Sequence, residues 1–92
     1  MWSRNKPKQT IAEREWVSEV KRMKCICCTM MNRQALDESD AHEIRQGQWF
    51  TSIPLCKDCH DGRNGVHKEK HYLHVLKMDE WDLLNEHLRR MV

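Results

Sequence analysis

The sequence predicts a small α+β unit stapled by metal: a short strand–turn–strand–helix segment with a helix before it and a helix after it. Three observations predict this. The chain has 92 residues, 39% of them hydrophobic, with much of that share in Met and Cys and only one Phe and one Tyr beside four Trp. That is too little apolar material for a core to offset backbone entropy unaided. Two Cys-x-x-Cys pairs, Cys25/Cys28 and Cys56/Cys59, stand 28 positions apart. His42 lies between the pairs, His60 directly follows the second, and His67 comes after a Gly-containing turn.

The staple is expected to be metal rather than disulfide. Five Cys is an odd number, the N-terminus is polar without a signal-peptide pattern, and no apolar run approaches a membrane span. These features point to a reducing, cytoplasmic setting and to no membrane partner. Charge is uneven. Residues 1–24 hold seven Lys/Arg against three Glu, whereas the whole chain nets only +2. A basic N-terminal stretch of this kind either keeps the chain in solution or meets phosphates.

In chain order, residues 1–9 read as a flexible basic arm and residues 10–92 as one zinc domain. Thr10-Ile11-Ala12-Glu13 has capping-box spacing, and Trp16, Val20 and Met23, with Val17 beside them, fall on one helical face. The spacing predicts a helix over residues 11–24 that packs against the zinc region. Cys25 to Cys28 should form a knuckle-like turn and residues 29–40 a loop. His42-Glu43-Ile44 reads as a short extended segment and Gln46-Gly47-Gln48 as the turn after it. Trp49 to Ile53 reads as a strand, ended or edged by Pro54. A short helix starts at Cys56 and is closed by Gly62 and Gly65, and residues 67–77 are ambiguous. Asp79 caps a last helix whose apolar stripe is Trp81, Leu84, Leu88 and Met91.

Two Cys-x-x-Cys knuckles that turn four thiolates toward one point make a tetrahedral Zn²⁺ site. Cys27 is the complication, because it can replace Cys25 or Cys28. The two-residue gap favours Cys25, Cys28, Cys56 and Cys59 as ligands and leaves Cys27 as a free or neighbouring thiol. A thioredoxin-like redox pair would need a βαβ context that the chain lacks.

The histidines add a second expectation. If the strand with His42 pairs with the strand after the turn, His42 comes near the start of the following helix, where His60 sits. Both imidazoles then reach one cation, and His67 supplies a third bond or orients a phosphate. A divalent cation such as Mg²⁺, Mn²⁺, Ni²⁺ or Zn²⁺ at that place would stabilise the leaving oxygen and the pentavalent phosphate of a phosphodiester. Glu43 is the adjacent candidate base, although strand alternation points it away from His42. His71, His74 and His87 are expected on the surface.

Cys-x-x-Cys, a His-containing segment, a strand ending Ile53-Pro54-Leu55, and then Cys56-x-x-Cys59-His60 together resemble the HNH endonuclease superfamily. More narrowly, His42-Glu43-Ile44-Arg45-Gln46-Gly47 with the later Ile53-Pro54-Leu55-Cys56, Gly62-Arg63-Asn64-Gly65-Val66-His67 and Leu83-Leu84 are similar to the phage RecA-dependent nuclease (Ref-like) family. The resemblance spans roughly Cys25 to Leu84. It implies a ββα-metal (His-Me finger) core with a zinc knuckle, and it implies His42, His60 and His67 as ligands of the catalytic metal. It further implies a cytoplasmic phage or prophage protein acting on DNA, with a recombinase as a partner. Two positions depart from the motif. Glu43 stands where the family has a second His, its general base. Shifted by one residue, the alignment makes His42 the base and leaves Ala41 without ligand capacity. Thr51 falls near the middle Asn of the HNH pattern.

Two functions follow. One is a metal-dependent DNA endonuclease or nickase with Glu43 and His42 in the catalytic roles. Its phosphate contacts would come from Arg4, Lys6, Lys8, Arg45, Arg63 and Lys68, giving little base specificity. The other is a catalytically impaired zinc module that binds DNA or a recombination protein.

Overall fold

The computed structural model describes residues 8–34 and 38–91. Most of the expected arm, with Arg4 and Lys6, lies outside them. The first helix, α1 (Ile11–Arg22), opens as its sequence requires. Glu13 N–H donates to Thr10 Oγ1 at 3.1 Å and Thr10 N–H donates to Glu13 Oε1 at 2.7 Å, a complete capping box. It ends two residues before the expected boundary, because Met23 turns to extended backbone and its carbonyl accepts the Ser39 hydroxyl at 2.6 Å. Val20 is buried. The helix packs on the two strands of the hairpin and on the Trp49–Thr51 turn between them.

The knuckle expected at Cys25–Cys28 is the start of a short helix, α2 (Ile26–Met30), which takes in two residues assigned to a loop. Cys25 Sγ caps it by accepting Cys28 N–H at 3.3 Å, and the Thr29 hydroxyl donates to Cys25 O at 2.8 Å. Asn32, at φ 61°, closes it in the left-handed region that Asn tolerates.

The sheet is a single antiparallel pair, β1 (Asp40–Glu43) and β2 (Ser52–Leu55), with His42 opposite Ile53 and Glu43 opposite Ser52. The strand expected from Trp49 begins three residues later, since Trp49–Thr51 forms a 3₁₀ turn. Local bonds decide this. The Thr51 hydroxyl donates to Gln48 O at 2.7 Å and its N–H to the same oxygen at 2.9 Å, the side-chain competition by which Thr displaces a ladder. Pro54 is accommodated because each strand of a two-stranded sheet is an edge. All four residues of β2 are buried, packed by α1, α2 and α5.

Cys56 starts α3 (Lys57–Asp61), which Gly62 ends. The chain then folds back on this helix: Val66 N–H donates to Cys59 O at 2.9 Å and His67 N–H to His60 O at 3.2 Å. The return is this close because of two glycines. A Cβ on Gly62 would meet Asp58 O at 2.4 Å, and one on Gly65 would meet Asp58 O and Cys59 O at 2.7 Å. The ambiguous stretch resolves into a turn and α4 (His71–Leu76), bounded by Lys70 and Lys77 in left-handed conformations.

In α5 (Glu80–Met91), Asp79 and Asp82 cap each other reciprocally, at 2.8 and 3.0 Å. The expected stripe is corrected, because Trp81, Leu88 and Met91 are 44%, 40% and 43% exposed while Leu83 and His87 are buried. The inward face is Glu80, Leu83, Leu84 and His87, which has the same helical period but two polar members. Leu83 joins Ile53, Leu55, Val66, Leu73 and the five cysteines in one core.

His87, expected at the surface, is buried against the Trp16 ring, with centroids 6.0 Å apart. Its Nε2 has no hydrogen-bond partner among the described residues. Burial lowers its pKa below the ordinary value of 6.5. The unfolded chain therefore binds the proton more readily, so stability is complete above pH 6.5 and falls as pH drops below it. His87→Leu should raise stability by about 1 kcal/mol, by removing an unsatisfied buried nitrogen. It should also flatten the dependence below pH 6.5, as read in urea unfolding at a series of pH values.

Candidate functional site

Two separate clusters of side chains that could hold a metal ion meet at α3, and a third group, Asp40, His60 and Asp61, shares His60 with the second. The first is Cys25, Cys28, Cys56 and Cys59, all buried, with sulfurs within 4.8 Å of one another. Cys28 Sγ lies 3.7 Å from Cys56 Sγ and 3.6 Å from Cys59 Sγ. These are too long for a disulfide. They match the edge of a tetrahedron whose centre lies about 2.3 Å from each sulfur, which is roughly 3.8 Å. The four thiols are therefore placed to hold one metal ion such as zinc. Arg33 Nη2 donates to Cys28 Sγ at 3.6 Å and to Asp58 Oδ2 at 3.3 Å, and its guanidinium lies over the Tyr72 ring, 4.8 Å from the centroid. The Tyr72 hydroxyl donates to the same Asp58 oxygen at 2.7 Å. A cation fixed beside the sulfurs offsets the negative charge that four thiolates would concentrate there.

As bare thiols, Cys25, Cys28 and Cys59 resist ionisation. Cys25 is raised by its contact with the Cys59 thiol and by burial. Burial pushes Cys28 up to about 11 against the pull of Arg33. At Cys59 the Cys25 contact acts downward, but the neighbouring Cys27 thiol and burial outweigh it. Metal uptake here must accordingly release protons. Cys27 is fully buried beside the group and outside the set of four.

The second cluster is His42, His60 and His67, whose candidate ligand nitrogens also lie within 4.8 Å of one another. The ring centroids are 5.0, 4.9 and 4.6 Å apart. Each ring comes from a different piece of the fold. His42 is on β1, His60 is in α3 just after the cysteine pair, and His67 is on the return that the glycines bring against α3. His60 Nε2 and His67 Nε2 are 3.0 Å apart, while His60 Nδ1 faces Asp40 Oδ2 at 3.1 Å and Asp61 Oδ2 at 3.5 Å. His42 Nε2 is hydrogen-bonded to Glu80 Oε1.

The three rings line an open cleft of about 530 Å³ together with Glu43, Glu80 and Lys70. Burial and the neighbouring His42 and His60 lower the pKa of His67, which favours the neutral imidazole that a metal needs. The hydrogen bond to His42 holds Glu80 below the usual carboxylate range, so it stays ionised.

Glu43 lines the same cleft, with Oε1 accepting Gly47 N–H at 3.0 Å. That bond ties the residue to the turn between the strands. Thr51, at the middle position of the sequence motif, spans the same turn, accepting Arg45 N–H at 3.4 Å while donating to Gln48 O. Of the expected phosphate contacts, Lys8, Arg45, Arg63 and Lys68 are exposed. Arg63 pairs with Glu69 at 3.6 Å, and Arg45 lies over Trp81, 5.7 Å from the ring centroid. His71 and His74 are exposed and outside the group of three.

Asp40, which backs His60, and the cleft residues Glu80 and Lys70 were not read from the sequence. Asp40 had a signal, since it precedes His42 by two positions and shares its face of the strand. Glu80 and Lys70 had none of that kind, because only the docking of α5 and the turn before α4 bring them to the cleft. No protein-family model, curated protein or solved structure matches the chain. Among the described residues no helix is long and apolar enough to cross a membrane.

Proposed function

We propose that the chain is a zinc-stapled, metal-dependent DNA endonuclease or nickase of the HNH kind, with the β1–β2 hairpin and α3 as its ββα-metal unit. The observation that carries this reading is the convergence of His42, His60 and His67 in one open cleft, two of them backed by carboxylates. In this reading Cys25, Cys28, Cys56 and Cys59 hold a structural zinc that fixes α2 against α3. The three imidazoles hold a divalent cation such as Mg²⁺, Mn²⁺, Ni²⁺ or Zn²⁺, which supplies positive charge to the leaving oxygen and crowded phosphate of a phosphodiester. The protein's own part is to present neutral nitrogens, to keep Glu43 on the cleft wall as acceptor of a water proton, and to offer Lys70, Lys68 and Arg45 to phosphate oxygens. Such contacts grip any sequence. A phage or prophage protein in the bacterial cytoplasm, working beside a recombinase, is the setting that the sequence resemblance suggests.

The second reading, a zinc module that binds DNA or a recombination protein without cutting, is favoured by one feature. Glu43 replaces an expected histidine and is engaged by the Gly47 N–H. Supercoiled plasmid separates the two. Incubated with the protein and Mg²⁺, Mn²⁺ or Ni²⁺, it should be nicked by the wild type and not by His60→Ala. A gel shift without nicking under any of these ions would favour the binding module, and equal nicking by the variant would remove the histidines from the chemistry.

A further inference from the structure

Glu80 opens α5 and stands 38 residues beyond His42, yet its carboxylate is hydrogen-bonded to His42 Nε2 inside the cleft. The pair is largely withdrawn from water, with side chains 7% and 26% exposed. The same arrangement recurs at His60, where Asp40 takes Nδ1 and leaves Nε2 turned toward His67. Two of the three imidazoles thus have one ring nitrogen held by a carboxylate from another residue. A carboxylate at that position fixes the tautomer and the ring orientation of a ligating His and raises its basicity. With Nε2 held by Glu80, the His42 ring is fixed in the cleft where one of its nitrogens lies within 4.8 Å of nitrogens of His60 and His67.

Glu80 also has a mechanical place. It is followed by Trp81, which is 44% exposed, and then by Leu83, which is fully buried in the core. The first turn of α5 is therefore fastened by Leu83 below and by the bond to His42 at its tip. Anything that holds the His42 ring in place holds that turn in place as well.

We propose that Glu80 is the positioning residue of the histidine centre, fixing the His42 ring for the cation and so linking cation binding to the docking of α5. This rests on the reading that His42, His60 and His67 hold a divalent cation. Linkage makes the effect reciprocal: a cation that binds the docked arrangement better must tighten the docking.

The test starts from protein that keeps its one cysteine-bound zinc. Mn²⁺ is titrated by calorimetry into the wild type, Glu80→Ala, Glu80→Gln and His60→Ala, and amide exchange in α5 is followed with and without Mn²⁺. Glu80→Ala should weaken Mn²⁺ binding by about 10–100-fold. Glu80→Gln, whose amide oxygen still accepts the Nε2–H, should lose less. Mn²⁺ should slow exchange in the first turn of α5 in the wild type and leave it unchanged in Glu80→Ala. Wild-type affinity in Glu80→Ala, with α5 protected by Mn²⁺ as before, would overturn the assignment while leaving the histidine site standing. A wild type that binds no Mn²⁺, or a His60→Ala variant that binds it equally well, would instead remove the histidine site and this role with it. Zinc content and the far-UV spectrum of each variant identify any that fails to fold, and Glu80→Gln then carries the comparison.

Discussion

Cys59→Ser should abolish the folded state. Cys59 is fully buried, and its sulfur lies 3.6 Å from that of Cys28 in the group of four. The cysteines are also the centre of the core, since five of them belong to the same buried cluster as Ile53, Leu55, Val66, Leu73 and Leu83. With 92 residues and a 39% hydrophobic share, the remaining core cannot replace the metal. Structural zinc in small domains contributes about 10–16 kcal/mol of binding free energy, which is folding free energy. That is as large as the roughly 5–15 kcal/mol net stability of an ordinary domain. The variant should show an unfolded far-UV spectrum and no stoichiometric zinc. The wild type should lose its structure when a chelator removes the metal and regain it on zinc return under reducing conditions. A chelator-stripped chain with an unchanged spectrum would contradict the structural role.

The neighbouring residue should behave in the opposite way. His60 follows Cys59 in α3, but its side chain points out to the cleft and is 17% exposed. His60→Ala should keep the zinc and the fold, while nicking falls by roughly 10²-fold or more, the equivalent of losing several kcal/mol of charge stabilisation. Measured initial rates on supercoiled plasmid, beside zinc content and thermal midpoint, separate the two effects. Adjacent positions in one short helix thus face two different groups, Cys59 the four sulfurs and His60 the three imidazoles.

This division was legible in the sequence to a definite depth. The two Cys-x-x-Cys pairs place four thiols on two chain segments, and local geometry alone turns each pair inward. His42 was legible because it lies between the pairs, and His60 and His67 because they follow the second pair. The two-residue gap also favours Cys25 and Cys28 over Cys27, and the fold groups those two with Cys56 and Cys59 while Cys27 stays outside the four.

What the sequence concealed in α5 has one cause. The inward face of α5 includes Glu80 and His87, so a search for apolar residues at helical spacing selected Trp81, Leu84, Leu88 and Met91 instead. Both polar residues are inward because each meets a partner from a distant element: His42 for Glu80 and the Trp16 ring for His87. The strand expected at Trp49 failed for a different reason. Its aromatic and β-branched content is real, but the Thr51 hydroxyl and N–H both turn back to Gln48 O. That local bond outweighs a weak strand preference.

The central claim is that three particular imidazoles share one cation. Paramagnetic broadening tests it most directly. Substoichiometric Mn²⁺ is added to ¹⁵N-labelled, zinc-loaded protein while the imidazole resonances of all six histidines are followed. The account predicts that His42, His60 and His67 broaden together at the lowest Mn²⁺ concentrations, with the exposed His71 and His74 still sharp. Broadening that begins at His71 and His74, or that leaves the three cleft histidines untouched, would contradict it.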